Sequence, residues 1–99
     1  ISDDKLKTYI ISVINMKRIS LNNYNSSMGI LIDVQHPSDY MKNPTPNSIN
    51  VYADDLLLNY KRMLDYSKKY YIICNKGRLS QRVVAMLEYF GYDVTQVMK

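Results

Sequence analysis

A short apolar segment, Tyr71-Ile72-Ile73, runs directly into Cys74, the only cysteine among the 99 residues of the chain. Its β-branched and aromatic residues are typical of a buried strand. The residues that follow are polar or small and include Gly77, and from Ser80 to Phe90 apolar residues recur at helical spacing before Gly91. The sequence therefore predicts a strand, a tight loop and a helix in immediate succession, with the cysteine at the end of the strand.

This setting favours a reactive role for Cys74. The backbone N–H groups of such a loop converge on one point, and the positive end of the helix dipole is directed to the same place. These fields favour the thiolate, which is the nucleophilic form of cysteine, and Lys76 and Arg78 add two positive charges nearby. The alternative is that a lone cysteine is simply a small buried hydrophobic residue.

Strands and helices alternate over the rest of the chain. We predict strands at 18–21, 29–34, 48–51, 70–73 and 92–97, and helices at 37–41, 54–63 and 80–90. This alternation predicts an α/β fold with an open, mostly parallel five-stranded sheet and helices on both faces. Because ligands in such sheets bind at the carboxyl ends of the strands, Asp33 and Cys74 are predicted to line one crevice.

Residues 1–17 are predicted to form a helical extension that is additional to a domain at residues 18–99. The run Ser2-Asp3-Asp4 is suited to begin a helix. The apolar residues that share one face of this helix are Leu6, Ile10, Val13 and Ile14. The Pro/Asn-rich segment 43–47 is a turn too short to be a linker, so we expect a single domain overall.

Composition excludes several classes of function. One cysteine and one histidine, His36, leave no disulfide, no CxxC site and no His/Cys cluster, so neither a metal nor a cofactor is expected. The net charge is +4, but lysine and arginine are spread along the chain, which argues against a nucleic-acid partner. No apolar run approaches the ~20 residues that a membrane-spanning helix needs. A working free thiol fits a reducing compartment, so we expect a cytoplasmic location, and we expect a monomer.

Five motifs in order resemble the single-domain rhodanese family. They span roughly residues 18–98 and have the spacing of that family. The motifs are Leu31-Ile32-Asp33-Val34, Pro37-Ser38-Asp39-Tyr40, Pro46 with Ser48-Ile49-Asn50, Cys74-Asn75-Lys76-Gly77-Arg78-Leu79-Ser80, and Phe90-Gly91-Tyr92. Each motif is weak alone, but the set with the cysteine in its place is specific.

The resemblance implies a thiosulfate sulfurtransferase that works through a persulfide on Cys74. The N–H groups of Asn75, Lys76, Gly77, Arg78, Leu79 and Ser80 would bind first the anionic oxygens of the donor and then the persulfide. The implied partners are a small anionic sulfur donor, a cyanide or thiol acceptor, and possibly a sulfur-accepting protein. On this interpretation Cys74 to Leu79 form a six-residue cradle and Ser80 begins the helix.

The chain departs from the family pattern at three places. Gln35 stands where an arginine is common, segment 43–48 lacks the usual histidine, and Arg78 comes one position before the commonest place of the loop arginine, where Leu79 stands. These departures keep a second hypothesis open, in which the domain carries sulfur for another protein, or only docks onto one, with little turnover of small donors.

Several residue roles stay open as alternatives. A cysteine-based phosphatase needs arginine six positions after the cysteine, but that position is Ser80, which argues against phosphatase chemistry. Asp33 either supports the loop or the strand end at Gln35 through hydrogen bonds, or caps the turn at Pro37. Arg78 either reaches the donor or forms an outward ion pair.

Overall fold

The computed structural model of the protein describes residues 3–99. The helices are α1 (Asp3–Asn15), α2 (Pro37–Lys42), α3 (Ala53–Met63) and α4 (Arg78–Tyr89), and a short 3₁₀ helix spans Leu21–Asn23. The strands are β1 (Arg18–Ser20), β2 (Ile30–Asp33), β3 (Ile49–Asn50), β4 (Lys69–Ile73) and β5 (Asp93–Met98). The predicted cap at Ser2 lies outside the described residues.

The five strands form one parallel sheet in the order β1-β5-β4-β2-β3. The most apolar strand, β4, lies in the middle, where Ile73 pairs with Asp33 of β2 on one side and with Val97 of β5 on the other. From β2 the chain passes outward to β3 and then returns to β4 on the opposite side of β2. The strand order thus reverses between β2 and β4, and parallel α/β sheets bind ligands at the carboxyl ends of the strands at such a point. The predicted α/β architecture is confirmed.

The main core lies between one face of the sheet and α3 and α4. Alternate residues of β4, Tyr70 and Ile72, point into it, and Leu56 of α3 and Val83 of α4 are fully buried against them. Residues that point to the other face, among them Tyr71 and Ile73, form a smaller cluster. The segment that includes the 3₁₀ helix covers this second face, where the Tyr24 and Tyr71 rings lie 5.1 Å apart. Both faces of β4 are therefore buried, as its unbroken apolar sequence predicts.

Helix α1 packs mainly on α4, and most of its apolar residues are uncovered. Val13 contacts the main core, and Met16 just after the helix is buried. In contrast, Leu6, Ile10 and Ile14 are 51%, 46% and 70% exposed. Of the predicted apolar face, Val13 thus packs against the core, and Leu6, Ile10 and Ile14 do not. In residues 3–99 no helix is both long and apolar enough to cross a membrane.

The predicted start of the last helix at Ser80 is wrong, because α4 begins two residues earlier, at Arg78. Gly77 adopts a left-handed backbone (φ 82°) and turns the chain immediately before the helix. Arg78 and Leu79 are both good helix formers and continue directly into it. The loop after β4 is consequently shorter than the six-residue cradle predicted from the sequence.

Candidate active site

Cys74 lies at the centre of the carboxyl edge of the sheet, directly after β4. Its side chain is 3% exposed and borders the main core. The backbone N–H of Ser80 donates to Cys74 Sγ at 3.3 Å, and Ser80 Oγ lies 3.3 Å from the same sulfur. The sulfur is therefore held by two polar groups of a single residue at the start of α4.

The sulfur occupies the place of a helix N-cap acceptor. Ser80 is the third residue of α4, and its N–H is one of the donors that a helix leaves without an internal partner. The capping residue itself is Gly77, which has no side chain to accept such a bond. Cys74 Sγ accepts it instead, so a negative charge on the sulfur would lie at the positive end of the helix.

A buried glutamine that the sequence analysis missed supports this loop from β5. Gln96 is 2% exposed, and its Nε2 donates to Gly77 O at 2.9 Å and to Ser80 Oγ at 3.0 Å. Its Oε1 accepts from Arg18 Nε at 2.9 Å. The available signal was a polar residue in a predicted strand, two residues after Val94, at a position that alternation places on the main-core side. Gln96 thus connects β1, β5 and the cysteine loop.

The outer side of the loop is polar and positively charged. The side chains of Lys76 and Arg78 are exposed, and among residues 3–99 the two ion pairs are Lys17–Asp93 and Arg82–Asp54. The outward ion pair considered for Arg78 is therefore not formed within the described residues. Asn75 Oδ1 accepts from Lys99 Nζ at 2.6 Å, which brings a third cation to the loop.

Asp33 is fully buried at the end of β2 and organises the neighbouring loops. Its Oδ1 accepts from the Gln35 N–H at 3.0 Å, and its Oδ2 accepts from Gln35 Nε2 at 2.9 Å and from Thr45 Oγ1 at 2.6 Å. The cap of α2 is His36, whose Nδ1 accepts from the Ser38 N–H at 3.2 Å. Of the two roles considered for Asp33, the structure shows hydrogen bonds to the strand end at Gln35. It shows none from this carboxylate to the cysteine loop.

The amide of Gln35 stands beside Asp33 where the family pattern has a guanidinium. Its Nε2 donates to the carboxylate, but Gln35 Oε1 is the one buried side-chain polar atom in residues 3–99 without a hydrogen-bond partner. Thr45, in the segment that lacks the usual histidine, is buried and supplies a further donor to Asp33. Two of the departures from the pattern thus meet at one carboxylate, which accepts hydrogen bonds from both.

The structure therefore brings together some of the predicted site residues. Cys74, Gly77 and Ser80 form one hydrogen-bonded unit, with Lys76 and Arg78 exposed around it. The position at which a phosphatase would need arginine is Ser80, which is fully buried. No group of three His, Cys, Asp or Glu side chains within residues 3–99 is arranged to hold a metal ion.

Comparisons with known proteins identify a family and several similar folds. A family model described as a rhodanese-like domain matches residues 16–99. Two similar solved structures are a rhodanese-related protein from Thermoplasma volcanium (28% identity, TM-score 0.74, 82% of each chain covered) and a rhodanese-like domain protein from Staphylococcus aureus (28% identity, TM-score 0.71, 83% of this chain and 84% of that one). Reduced CoADR-RHD of Bacillus anthracis is similar at 26% identity and TM-score 0.73, over 83% of this chain but only 15% of that one. No match is found among curated proteins.

Proposed function

The chain belongs to the rhodanese-like domain family, and from this premise we propose that it is a sulfurtransferase. Cys74 is the nucleophile, and thiosulfate or a similar small anion is the donor of a sulfane sulfur. The acceptor is a thiophile such as cyanide or a thiol. The observation that carries the proposal is the contact of Cys74 Sγ with the N–H of Ser80 at the amino end of α4.

The first half-reaction forms a persulfide. The thiolate of Cys74 attacks the outer sulfur of thiosulfate, the S–S bond of the donor breaks, and sulfite leaves with the electron pair of that bond. The product is an anionic persulfide on Cys74, so total charge is conserved. In the second half-reaction cyanide attacks the outer sulfur, the S–S bond of the persulfide breaks, and thiocyanate leaves while the Cys74 thiolate is restored.

The start of α4 is suited to both anionic forms. The thiolate is stabilised by the N–H of Ser80 and by the positive end of the helix. The N–H groups of Arg78 and Leu79, the first two residues of α4, also lack partners within the helix and are available to the donor or to the outer sulfur. A fixed set of donors of this kind needs no reorganisation when the negative charge moves along the S–S bond.

The charge around the loop supports an anionic donor. The exposed Lys76 and Arg78 and the nearby Lys99 surround the loop of a cysteine whose sulfur contacts the neutral side chain of Ser80. Because Cys74 is only 3% exposed, a donor as small as thiosulfate reaches its sulfur more easily than a bulky one. Positive potential at such an opening raises the local concentration of anions.

A second candidate function is a sulfur carrier or docking module with little turnover of small donors. The specific observation in its favour is Gln35, whose buried Oε1 has no hydrogen-bond partner where the family pattern has an arginine. The two candidates share persulfide formation and differ in turnover. A carrier would accept sulfur at Cys74 but would release it to cyanide at a rate no greater than that of a small-molecule persulfide.

The first test is sulfur uptake measured by intact mass under non-reducing conditions. After incubation with thiosulfate, the protein should gain the mass of one sulfur atom, and cyanide should remove it with formation of thiocyanate. Cys74→Ser should abolish both events, because Cys74 is the only thiol in the chain.

A matched control moves the thiol away from the helix. Cys74→Ser combined with Ser26→Cys places a single cysteine at an exposed loop position that lacks the N-terminal donors of α4. This variant should take up no sulfur from thiosulfate. Equal uptake by this variant, or no uptake by the unmodified protein, would refute the sulfurtransferase proposal.

A further inference from the structure

The amide of Gln96 makes all its hydrogen bonds toward the cysteine loop and toward one arginine. A buried amide must satisfy its donors and acceptor within the protein. Both hydrogens of Nε2 are used, one on Gly77 O at 2.9 Å and one on Ser80 Oγ at 3.0 Å. The side chain therefore has no freedom to serve another partner.

These bonds determine where the hydroxyl hydrogen of Ser80 can go. Two acceptors lie within reach of Ser80 Oγ, namely Gly77 O at 3.3 Å and Cys74 Sγ at 3.3 Å. The carbonyl oxygen of Gly77 has two lone pairs and already accepts from Gln96 Nε2 and from the Gln81 N–H at 3.0 Å. Because that carbonyl is filled, the hydroxyl is left to donate to the sulfur when the sulfur is an anion.

Arg18 fixes which way the amide of Gln96 faces. Its Nε donates to Gln96 Oε1 at 2.9 Å, and its Nη2 donates to Val13 O at the end of α1 at 2.9 Å. A guanidinium only donates, so the amide oxygen must face Arg18 and the NH₂ group must face the loop. The orientation of the amide thus follows from the chemistry of its partner.

We propose that Gln96, oriented by Arg18, is a positioning residue that turns the hydroxyl of Ser80 toward the sulfur of Cys74. It touches neither donor nor acceptor, and it acts through Ser80. The role of this arrangement in catalysis rests on the proposed sulfur transfer. A hydroxyl that donates to an anionic sulfur forms a charge-assisted hydrogen bond, which is stronger than a neutral one.

The test uses the free thiol and no sulfur donor, so its failure is distinguishable from failure of the proposed function. The rate of alkylation of Cys74 by iodoacetamide is measured near neutral pH and at about pH 9.5, where free thiols are mostly ionised. The rate near neutral pH divided by the rate at the higher pH reports the fraction of Cys74 that is thiolate near neutral pH. A change in access to the sulfur affects both rates equally and therefore cancels from this ratio. The charged residues close to the loop, Lys76, Arg78, Lys99 and the buried Asp33, are the same in all variants.

Gln96→Met keeps the size of the side chain and removes its hydrogen bonds. We expect the ratio to fall about fivefold, since one hydrogen bond to a charged sulfur is lost. The control is Thr95→Val, a buried change on the opposite side of the same strand, which should leave the ratio within about twofold of the unmodified protein. If folded Gln96→Met also gives a ratio within about twofold of the unmodified protein, the proposal is overturned.

A double-mutant cycle with Ser80→Ala separates this role from a merely structural one. Without the hydroxyl there is nothing for Gln96 to orient, so Gln96→Met should have little further effect on the ratio in the Ser80→Ala background. If the two effects multiply, Gln96 acts through Gly77 and the loop backbone, and the proposal is wrong. Should Gln96→Met fail to fold, Gln96→Leu, which also removes the hydrogen bonds and adds no charge, is subject to the same criterion: its effect must be smaller in the Ser80→Ala background.

Discussion

The carboxylate of Asp33 is fully buried and is held by neutral donors. Three hydrogen bonds reach it, two from Gln35 and one from Thr45 Oγ1 at 2.6 Å. Its own carbonyl oxygen accepts from the Val51 N–H and from Asn50 Nδ2, both at 3.0 Å. A buried charge needs several such partners because it has lost its contact with water. Asp33 therefore fixes the loops on both sides of α2.

Thr45→Val should destabilise the protein by about 1–3 kcal/mol, because it leaves a charged buried acceptor short of one donor. The two side chains have nearly the same shape, so the effect isolates the hydroxyl. The free energy of unfolding from urea titration measures it. Because the Asp33 carboxylate makes no hydrogen bond to the cysteine loop, sulfur uptake by Cys74 should change less than about twofold.

Thr8→Val provides the comparison for this change. Thr8 is exposed on α1, and its Oγ1 donates only to Asp4 O one turn earlier. The same substitution there should alter the free energy of unfolding by no more than about 0.5 kcal/mol. If Thr45→Val were as mild as Thr8→Val, the assignment of Asp33 as a structural centre would be wrong.

Residues differ in how far their roles can be predicted from the sequence. The place of Cys74 directly after an apolar run was sufficient to predict its position at the end of β4. Asp33 was selected by position, but the hydrogen bond that it accepts from Thr45 joins residues that are 12 apart and depends on the folded loop. The contacts of Gln96 could not be predicted from the sequence, because they are made with Gly77 and Ser80. These residues come close to Gln96 only when β5 pairs with β4.

At the scale of elements, the junction between β4 and α4 requires a glycine. Gly77 has a left-handed backbone there, and a Cβ at this position would lie 3.2 Å from Cε of Met98 and 3.6 Å from Nε2 of Gln96. The glycine thus allows both the turn and the close approach of β5. This is the feature that lets α4 begin at Arg78 and brings its third N–H onto the sulfur of Cys74.

Gly77→Ala should destabilise the protein by about 1–3 kcal/mol, because a left-handed backbone is strained for a residue with a Cβ. It should also slow alkylation of Cys74 near neutral pH, since any shift of the loop displaces Ser80 from the sulfur. Urea titration and iodoacetamide kinetics measure the two effects.

The same change in a Met98→Ala background separates the two causes. Removing the Met98 side chain relieves the contact with the new Cβ but leaves the backbone strain. The loss of stability caused by Gly77→Ala should become smaller there without disappearing. Complete recovery would show that the contact, and not the backbone conformation, makes glycine necessary at this position.

Elements were predicted more reliably than their ends and their surroundings. The strand and helix patterns gave the correct order of elements, because period-two and period-3.6 repeats depend on the element itself. The start of α4 was placed at Ser80 since nothing local shows that Gly77 rather than Leu79 ends the loop. The exposure of Leu6, Ile10 and Ile14 could not be predicted either, because helical spacing predicts an apolar face but not which element covers it.

At the scale of the whole molecule, an aromatic cluster joins the carboxyl ends of α3 and α4 to the start of β5. The rings of Tyr66 and Tyr92 stack with centroids 4.1 Å apart, and Tyr60 contacts both Phe90 at 4.7 Å and Tyr92 at 5.7 Å. Burial, together with the interaction with the Tyr66 side chain, raises the pKa of Tyr92 to about 12. The folded protein thus holds the Tyr92 proton more tightly than the unfolded chain.

The direction of the resulting pH dependence follows from proton linkage. Below the ordinary tyrosine pKa of about 10, Tyr92 is protonated in both states and its full contribution to stability is present. Between there and its folded pKa of about 12 the unfolded chain loses the proton first, so the free energy of unfolding falls as the pH rises. Urea titrations from about pH 8 to about pH 11.5 should show this fall, and Tyr92→Phe should make it shallower. Tyr89→Phe removes an exposed hydroxyl and should leave the slope unchanged.

Because α4 carries Ser80 at one end and packs on this cluster at the other, alkaline loss of the cluster should also release the N–H groups that hold Cys74. At the pH at which urea titrations show that the protein unfolds, the unmodified protein and Gln96→Met should therefore be alkylated at Cys74 at the same rate.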